Sequence, residues 1–231
     1  STASAFRYFD DTPLLITGVN DDHAELIRKQ QRERGWKGFV LPVPNCTVTG
    51  LAITLKPLHE RFGIRSVLMV SMQSLSGAGR SPGVRSLDIL DNVIPYIPKE
   101  EGKVRTELVK ILGSYSGEGI VPAQIDINCI CTRVNVLDGH TESVFVGLKT
   151  PASVAEVKEA IEQYNPFQSG RSHSAPERMI QLFDDPFRPQ PRLDRELGDG
   201  MTTAMGRLEE EPVLGGVKYV LVSHNTKMGA G

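Results

Sequence analysis

The feature that most constrains the fold is a pair of β-type segments separated by a tight turn. Residues 125–136 and 143–148 are rich in β-branched and apolar side chains, and they flank Leu137-Asp138-Gly139-His140. An Asp-Gly pair favours the turn of a β-hairpin. The pattern therefore predicts two antiparallel strands with His140 at the bend, where its ring can reach another element.

Helix-type segments alternate with further strand-type segments along the chain. Apolar residues three or four positions apart, ended by glycine, indicate helices, whereas short apolar runs indicate strands. The predicted helices cover 21–35, 45–61, 100–112 and 153–164, and the other predicted strands cover 39–41, 64–71, 201–208 and 217–223. Residues 165–200, rich in Pro, Arg, Asp and Gly, are predicted to be irregular. This order predicts an α+β fold with a mixed or antiparallel sheet backed by helices.

Charge and composition narrow the possible partners. The 231 residues include 26 Lys and Arg against 28 Asp and Glu, a net charge of −2. The sequence therefore shows no excess of basic residues of the kind that binds nucleic acid. The apolar runs fall far short of the roughly 20 residues of a membrane-spanning helix. Three cysteines, an odd number, favour reduced thiols over a disulfide framework. We therefore expect a cytoplasmic protein whose partners are small molecules or proteins.

Cys46 is the first candidate for chemistry. With Asn45 as N-cap, it lies in the first turn of a predicted helix, where the helix dipole favours the thiolate. The alternative is a small buried core residue, as most free cysteines are. Cys129 and Cys131 lie on one face of a predicted strand, and without a second ligand pair they do not indicate a zinc site.

Arg133 lies on the same predicted hairpin as His140 and offers a planar pair of donors to a carboxylate, although a surface ion pair is the alternative. The glycine-bearing segment 73–79 follows a predicted strand. It does not match the dinucleotide-binding fingerprint, because the third glycine, Gly83, comes one position late and Pro82 blocks the expected helix. The sequence offers no other glycine-rich cradle for a dinucleotide.

Several motifs, in this order, resemble the aspartate-semialdehyde dehydrogenases, particularly their archaeal and fungal branch. They are Pro44-Asn45-Cys46-Thr47, Gln73-Ser74-Leu75-Ser76-Gly77-Ala78-Gly79, residues 86–95, residues 133–140, Arg188-Pro189-Gln190-Pro191-Arg192 and His224-Asn225-Thr226. Independent motifs in the right order are far more specific than any one of them. The resemblance covers nearly the whole chain.

The resemblance implies an enzyme that reduces aspartyl phosphate to aspartate semialdehyde with NADPH, through a thioester on a cysteine. Its implied site residues are Cys46 as nucleophile, His140 as acid/base partner, Gln73, Glu100 and Arg133 for the substrate, Lys103 for phosphate, and Ser76, Gly77 and Asn225 for the cofactor. A zwitterionic substrate needs one fixed cation and one fixed anion, which agrees with Arg133 and Glu100. No metal is implied.

The resemblance also implies an organisation. The fold resembles the catalytic domain of glyceraldehyde-3-phosphate dehydrogenase-like enzymes, with residues 1–222 as a catalytic and dimerisation domain. Residues 223–231 would begin a C-terminal helix that packs on an NADP-binding domain, which precedes this part in the family. We therefore expect a homodimer. We expect NADP in the full-length enzyme, with no cofactor bound to this chain and no turnover by it alone.

Three alternative functions remain at this point. A related acyl-phosphate reductase, such as N-acetyl-glutamyl-phosphate reductase, also uses a cysteine, a histidine and a thioester. A cysteine hydrolase also combines a cysteine at a helix start with a histidine, but it needs a third residue to orient the ring, and none is evident. The third alternative is an interaction module that dimerises without activity.

Overall fold

The computed structural model describes residues 4–78, 86–167 and 173–228. The α-helices are α1 (Leu26–Arg34), α2 (Cys46–Phe62), α3 (Ser86–Ile89), α4 (Glu100–Ile111), α5 (Val154–Gln163) and α6 (Pro191–Asp194). The strands are β1 (Ile64–Gln73), β2 (Val93–Ile94), β3 (Ser114–Tyr115), β4 (Ile120–Val121), β5 (Asp126–Val134), β6 (His140–Leu148), β7 (Ile180–Phe183), β8 (Thr203–Glu211) and β9 (Gly216–Ser223). Short 3₁₀ helices cover Ser4–Tyr8, Asp21–Glu25, Leu75–Ala78 and Leu197–Gly200.

Seven strands form one mixed sheet in the order β2-β5-β1-β6-β9-β8-β7. β1 pairs with β5 and β7 with β8 in parallel, and the other neighbours are antiparallel. β3 and β4 form a separate two-stranded sheet. The predicted α+β fold with a mixed sheet is confirmed. The predicted hairpin partners β5 and β6 are instead separated by β1, because β1 pairs with both of them.

One face of the large sheet carries the hydrophobic core. Val67 and Met69 of β1 and Val144 of β6 are buried there together with the apolar side of α2, including Leu51 and Leu55. The opposite face exposes large apolar side chains on three adjacent strands. These are Leu68, Val70, Ile130 and Phe145, which are 43%, 37%, 55% and 36% exposed. We call this group the open sheet face.

Local signals account for several confirmed boundaries. The Asn45 side chain accepts hydrogen bonds from the backbone N–H groups of Thr47 and Val48, which caps α2. α1 ends at Gly35, whose φ of 64° lies in the left-handed region that glycine tolerates. Ser153 begins α5 with the predicted capping box.

Two predictions of secondary structure are wrong. Residues 39–41 form no strand, because the Gln30 side chain takes the place of a neighbouring strand: it accepts from Val40 N (2.6 Å) and donates to Val40 O (3.1 Å). The segment 165–200 is not irregular throughout, since it contains β7 and α6. β7 is stabilised by its parallel pairing with β8, which cannot be predicted from the residues of β7 alone.

The end of the described chain follows β9. Residues 225–228 form a turn, in which Met228 N donates to His224 O at 3.2 Å, the bond pattern of a first helical turn. Residues 229–231 of the predicted terminal helix, and Gly79 and Gly83 of the glycine-bearing region, lie outside the described residues. Within the described residues, no helix has both the length and the apolar character needed to cross a bilayer.

Candidate active site

The sheet topology brings three predicted site residues to one end of the molecule. Gln73 and Arg133 are direct neighbours at the carboxyl ends of the parallel strands β1 and β5. β6 runs antiparallel to β1 and begins at His140, so His140 lies beside the same end of β1. All three side chains point to the helix-covered face and are buried, His140 completely.

The start of α2 lies over this end of the sheet and brings Cys46 to it. Because Asn45 caps the helix, Cys46 occupies its first turn, as predicted. Its Sγ lies 3.2 Å from Nε2 of His140, within hydrogen-bond reach. Part of Cys46 stays accessible, in contrast to Cys129 and Cys131, which are buried in the core. The predicted pairing of Cys46 with His140 is therefore present in the structure.

Burial sets the charge state of this pair. Desolvation, with a further contribution from the Glu100 carboxylate, raises the pKa of Cys46 to about 12. Desolvation, followed by repulsion from the Arg133 guanidinium, lowers the pKa of His140 to about 3. The resting pair is therefore a neutral thiol beside a neutral imidazole. This direction is opposite to the one predicted from the helix dipole, because the loss of solvent outweighs the dipole.

Glu100 provides a buried anion at the first position of α4. Only 4% of the residue is exposed, and its carboxylate accepts hydrogen bonds from Asn45 Nδ2 (2.7 Å) and Gln73 Nε2 (3.3 Å). Lys103, one helical turn on, donates to it at 3.0 Å and keeps 30% of its side chain exposed. Glu100, Gln73 and Lys103 therefore form one hydrogen-bonded group next to the residue that precedes Cys46.

Arg133 provides a buried cation on the other side of the site. It is 5% exposed, and its Nη1 donates to the carbonyl of Ser74 at 2.7 Å. Its buried Nε has no partner among the described residues. Burial lowers the pKa of Arg133, and the nearby sulfur and carboxylate of Cys46 and Glu100 oppose that shift. A guanidinium with donors left over, held rigidly at the strand end, suits a carboxylate ligand.

The residues predicted to contact the cofactor form a tight cluster at the edge of the site. Asn225 Nδ2 donates to Ser76 Oγ at 2.9 Å. A Cβ added to Gly77 would lie 2.8 Å from both Arg133 Nη1 and His140 Cε1, so this loop packs directly against the site. The three residues are therefore brought to the same place as Cys46.

Three buried residues near the site were not predicted. Glu107 accepts from the backbone N–H of Asn45 (2.7 Å) and from Arg7 (3.0 Å), and Ser74 contacts His140. Glu142 lies two positions after His140 on the same face of β6, and burial raises its pKa well above the usual range. The sequence does contain a signal for two of them. Helical spacing puts Glu107 on the same face of α4 as Glu100, and strand spacing makes Glu142 point to the same buried face of β6 as His140.

The comparisons with known proteins concern the family of this chain. The family described as "Semialdehyde dehydrogenase, dimerisation domain" matches residues 55–228. Aspartate-semialdehyde dehydrogenase of Archaeoglobus fulgidus is 47% identical over 230 residues, and that of Methanothermobacter thermautotrophicus is 44% identical over 233 residues. This chain belongs to the aspartate-semialdehyde dehydrogenase family. It is matched over 100% of its length and spans 65% and 67% of these two relatives.

Solved structures of this family share the fold. The enzyme from Candida albicans, solved with NADP, superimposes with a TM-score of 0.86 at 36% identity, over 98% of this chain and 65% of that one. Aspartate-semialdehyde dehydrogenase II of Vibrio cholerae, solved as a complex with ASA, gives a TM-score of 0.77 at 25% identity, over 99% of this chain and 66% of that one. The archaeal and fungal relatives fit the predicted branch. Among the described residues, no group of His, Cys, Asp and Glu is arranged to hold a metal ion.

Proposed function

We propose that this chain carries the catalytic residues of an aspartate-semialdehyde dehydrogenase, which converts aspartyl phosphate to aspartate semialdehyde through a thioester on Cys46. The observation that carries the proposal is the 3.2 Å contact between Cys46 Sγ and His140 Nε2, flanked by a buried cation and a buried anion. Because its thiol must stay reduced, we place the protein in the cytoplasm.

In the acylation step, the Cys46 sulfur attacks the acyl carbon of aspartyl phosphate. The sulfur–carbon bond forms as the S–H proton passes to Nε2 of His140, the carbon–oxygen bond to phosphate breaks, and inorganic phosphate leaves with the bonding electrons. Lys103, the most exposed cation of the site, is the residue that would contact the departing phosphate. His140 occupies the position of an acid/base partner, at hydrogen-bond distance from the sulfur.

Two buried charges select the substrate. Arg133 would bind the free carboxylate, to which its unpartnered Nε can donate, and Glu100 would bind the ammonium group. Gln73, fixed by Glu100, would orient the acyl group. An N-acetylated substrate has a neutral amide in place of the ammonium group, so the buried Glu100 carboxylate disfavours the related N-acetyl-glutamyl-phosphate reductase function.

The cluster of Ser76, Gly77 and Asn225 fits the nicotinamide end of NADP. An amide and a hydroxyl are suitable partners for the nicotinamide carboxamide, and the missing side chain of Gly77 lets the loop close on Arg133 and His140. When bound, NADPH supplies the hydride that reduces the thioester. We expect this chain alone to bind NADP too weakly for detection by calorimetry and not to turn over, since its sequence has no dinucleotide fingerprint.

We further propose that the chain forms a homodimer through the open sheet face. Val70 lies beside Ile130, and Leu68 lies beside Phe145, so the four side chains form one continuous apolar surface. A sheet exposed to solvent on one face normally carries polar side chains there. Covering this surface with a second copy would remove it from water, and a twofold dimer is the commonest soluble assembly.

The acylation half-reaction tests the proposed function without any cofactor. Aspartyl phosphate added to the chain should release one equivalent of phosphate and leave an aspartyl adduct on Cys46, detected by mass spectrometry. The variant Cys46→Ala should do neither, whereas Cys129→Ala should behave as the wild type. An unmodified Cys46 in the folded wild-type chain, or an adduct on another residue, would rule out the proposed nucleophile.

A further inference from the structure

We propose that Gly50 and Ser223 are positioning residues, and that the close contact between them sets the distance from Cys46 to His140. The inference rests on the proposed function for its chemical meaning, since this distance matters for turnover only if Cys46 is acylated. It deepens that function, because it identifies what holds the nucleophile at its acid/base partner. Neither Gly50 nor Ser223 is among the site residues predicted from the sequence.

The two residues lie directly beside the Cys46–His140 pair. Gly50 follows Cys46 by four residues in α2, so the two lie on the same side of the helix. Ser223 is the last residue of β9 and the direct neighbour of His140 in the pairing of β6 with β9. α2 therefore meets the sheet at two successive points, one helical turn apart, of which the first is the Cys46–His140 pair.

The second of these points leaves no room for a side chain on the helix. A Cβ added to Gly50 would lie 2.6 Å from Ser223 Oγ, 2.9 Å from Ser223 Cβ and 3.4 Å from Leu221 Cδ1. Carbon atoms in contact are normally about 3.5–4.0 Å apart. The serine hydroxyl could rotate away, but the Cβ is fixed to β9, which is paired on both sides. α2 can therefore lie this close to the sheet only with glycine at this position.

A third contact holds α2 one turn further along. Thr54, four residues after Gly50, is completely buried, and its Oγ1 lies 2.9 Å from the hydroxyl oxygen of Tyr219. Four helical residues advance about 6.0 Å and two strand residues about 6.6 Å, so the contacts of α2 stay in register with β9 over this distance. Gly50 therefore lies between a fixed point at Thr54 and the end of the helix that carries Cys46.

The size of the effect follows from these distances. Moving an added Cβ from 2.9 Å to an ordinary carbon contact displaces α2 from the sheet by about 0.6–1.1 Å. Because Thr54 holds the far side, the displacement at Cys46 is at least as large. The distance from Cys46 Sγ to His140 Nε2 then rises from 3.2 Å to about 4 Å, beyond the reach of direct proton transfer. A misplacement of about 1 Å can slow a reaction about 100-fold.

Paired substitutions test the proposal through crystal structures and single-turnover acylation. In Gly50→Ala, the Sγ–Nε2 distance should lengthen to about 4 Å, and phosphate release from aspartyl phosphate should slow about 100-fold. Combining Gly50→Ala with Ser223→Gly moves the Cβ across the contact, and it should restore the wild-type distance and rate. Combining Gly50→Ala with Ser223→Ala should not restore them, because the clashing Cβ of residue 223 is retained.

The matched control is Gly102→Ala, which adds the same methyl group to a glycine of α4 with open surroundings and should change neither readout. If Gly50→Ala does not fold, the double variant with Ser223→Gly decides, because relief of a clash at this contact predicts that it folds with the wild-type distance. A folded Gly50→Ala with an unchanged distance or rate, or a double variant with Ser223→Gly that stays unfolded or keeps the longer distance, would overturn the proposal. The distances do not depend on acylation, so a failure of the proposed function is seen separately, as the absence of phosphate release by the wild type.

Discussion

Introducing a charge on the open sheet face should separate the proposed dimer. Ile130 is 55% exposed in the single chain. Fully burying an isoleucine side chain is worth about 1.5–3 kcal/mol, so burying the exposed half contributes about 0.8–1.7 kcal/mol per copy, or about 2–3 kcal/mol for both copies. Ile130→Asp removes this contribution and adds a carboxylate to each side of the interface, at a cost of several kcal/mol per buried ion.

Together these losses exceed about 5 kcal/mol, which corresponds to a dimer Kd at least about 1,000-fold weaker. Light scattering and sedimentation across a dilution series measure the mass directly. Val213→Asp is the matched control, because it adds the same charge at a valine that is 86% exposed in the turn between β8 and β9. A monomeric wild type, or an Ile130→Asp variant that dimerises as tightly as the wild type, would refute the assignment of this face.

Three further predictions concern buried charges. Since burial raises the pKa of Cys46 to about 12, its alkylation by iodoacetamide should accelerate about tenfold per pH unit towards that value, and a plateau near neutral pH would contradict the assigned state. Glu100→Gln removes a charge that raises this pKa, so Cys46 alkylation should speed up about three- to tenfold while acylation by substrate is lost; slower alkylation would contradict the sign. Burial raises the pKa of Glu142 in the folded chain, so the protonated carboxyl group binds its proton more tightly when the chain is folded. This stabilises the fold fully below about pH 4.5, and the free energy of unfolding falls as the pH rises from there towards the folded pKa. In urea titrations Glu142→Gln should lack this loss of about 1.4 kcal/mol per pH unit, and the exposed control Glu162→Gln should keep it.

The sequence predicts those features of the fold that depend on residues close together in the chain. The N-cap at Asn45 places Cys46 in the first helical turn, and Gly35 ends α1, because both signals act within a few residues. The order of the motifs also identifies the residues that surround Cys46. Their proximity was not predictable from spacing, since it depends on β1 lying between β5 and β6.

What the sequence does not predict depends on distant contacts. The pKa of Cys46 follows from the side chains that enclose it and not from its helix position. Ser74 lies within one of the quoted motifs but has no role predicted from it, and Glu107 and Glu142 lie in none of them. Ser74 and Glu107 contact the site through partners far along the chain, and Glu142 is completely buried in the fold. Val40 remains outside the sheet because a distant glutamine satisfies its backbone.

The alternation of side chains along β5 has a consequence for which changes the molecule can tolerate. Ile130 points to the open sheet face, whereas Cys131 and Arg133 point to the helices. Deleting one residue before this stretch would reverse the pleat, turning the arginine outward and the isoleucine inward in a single step. Length changes should therefore accumulate in the loops of homologous chains and be excluded from β5, β1 and β6, where the candidate site lies on one face of the sheet and the open sheet face on the other.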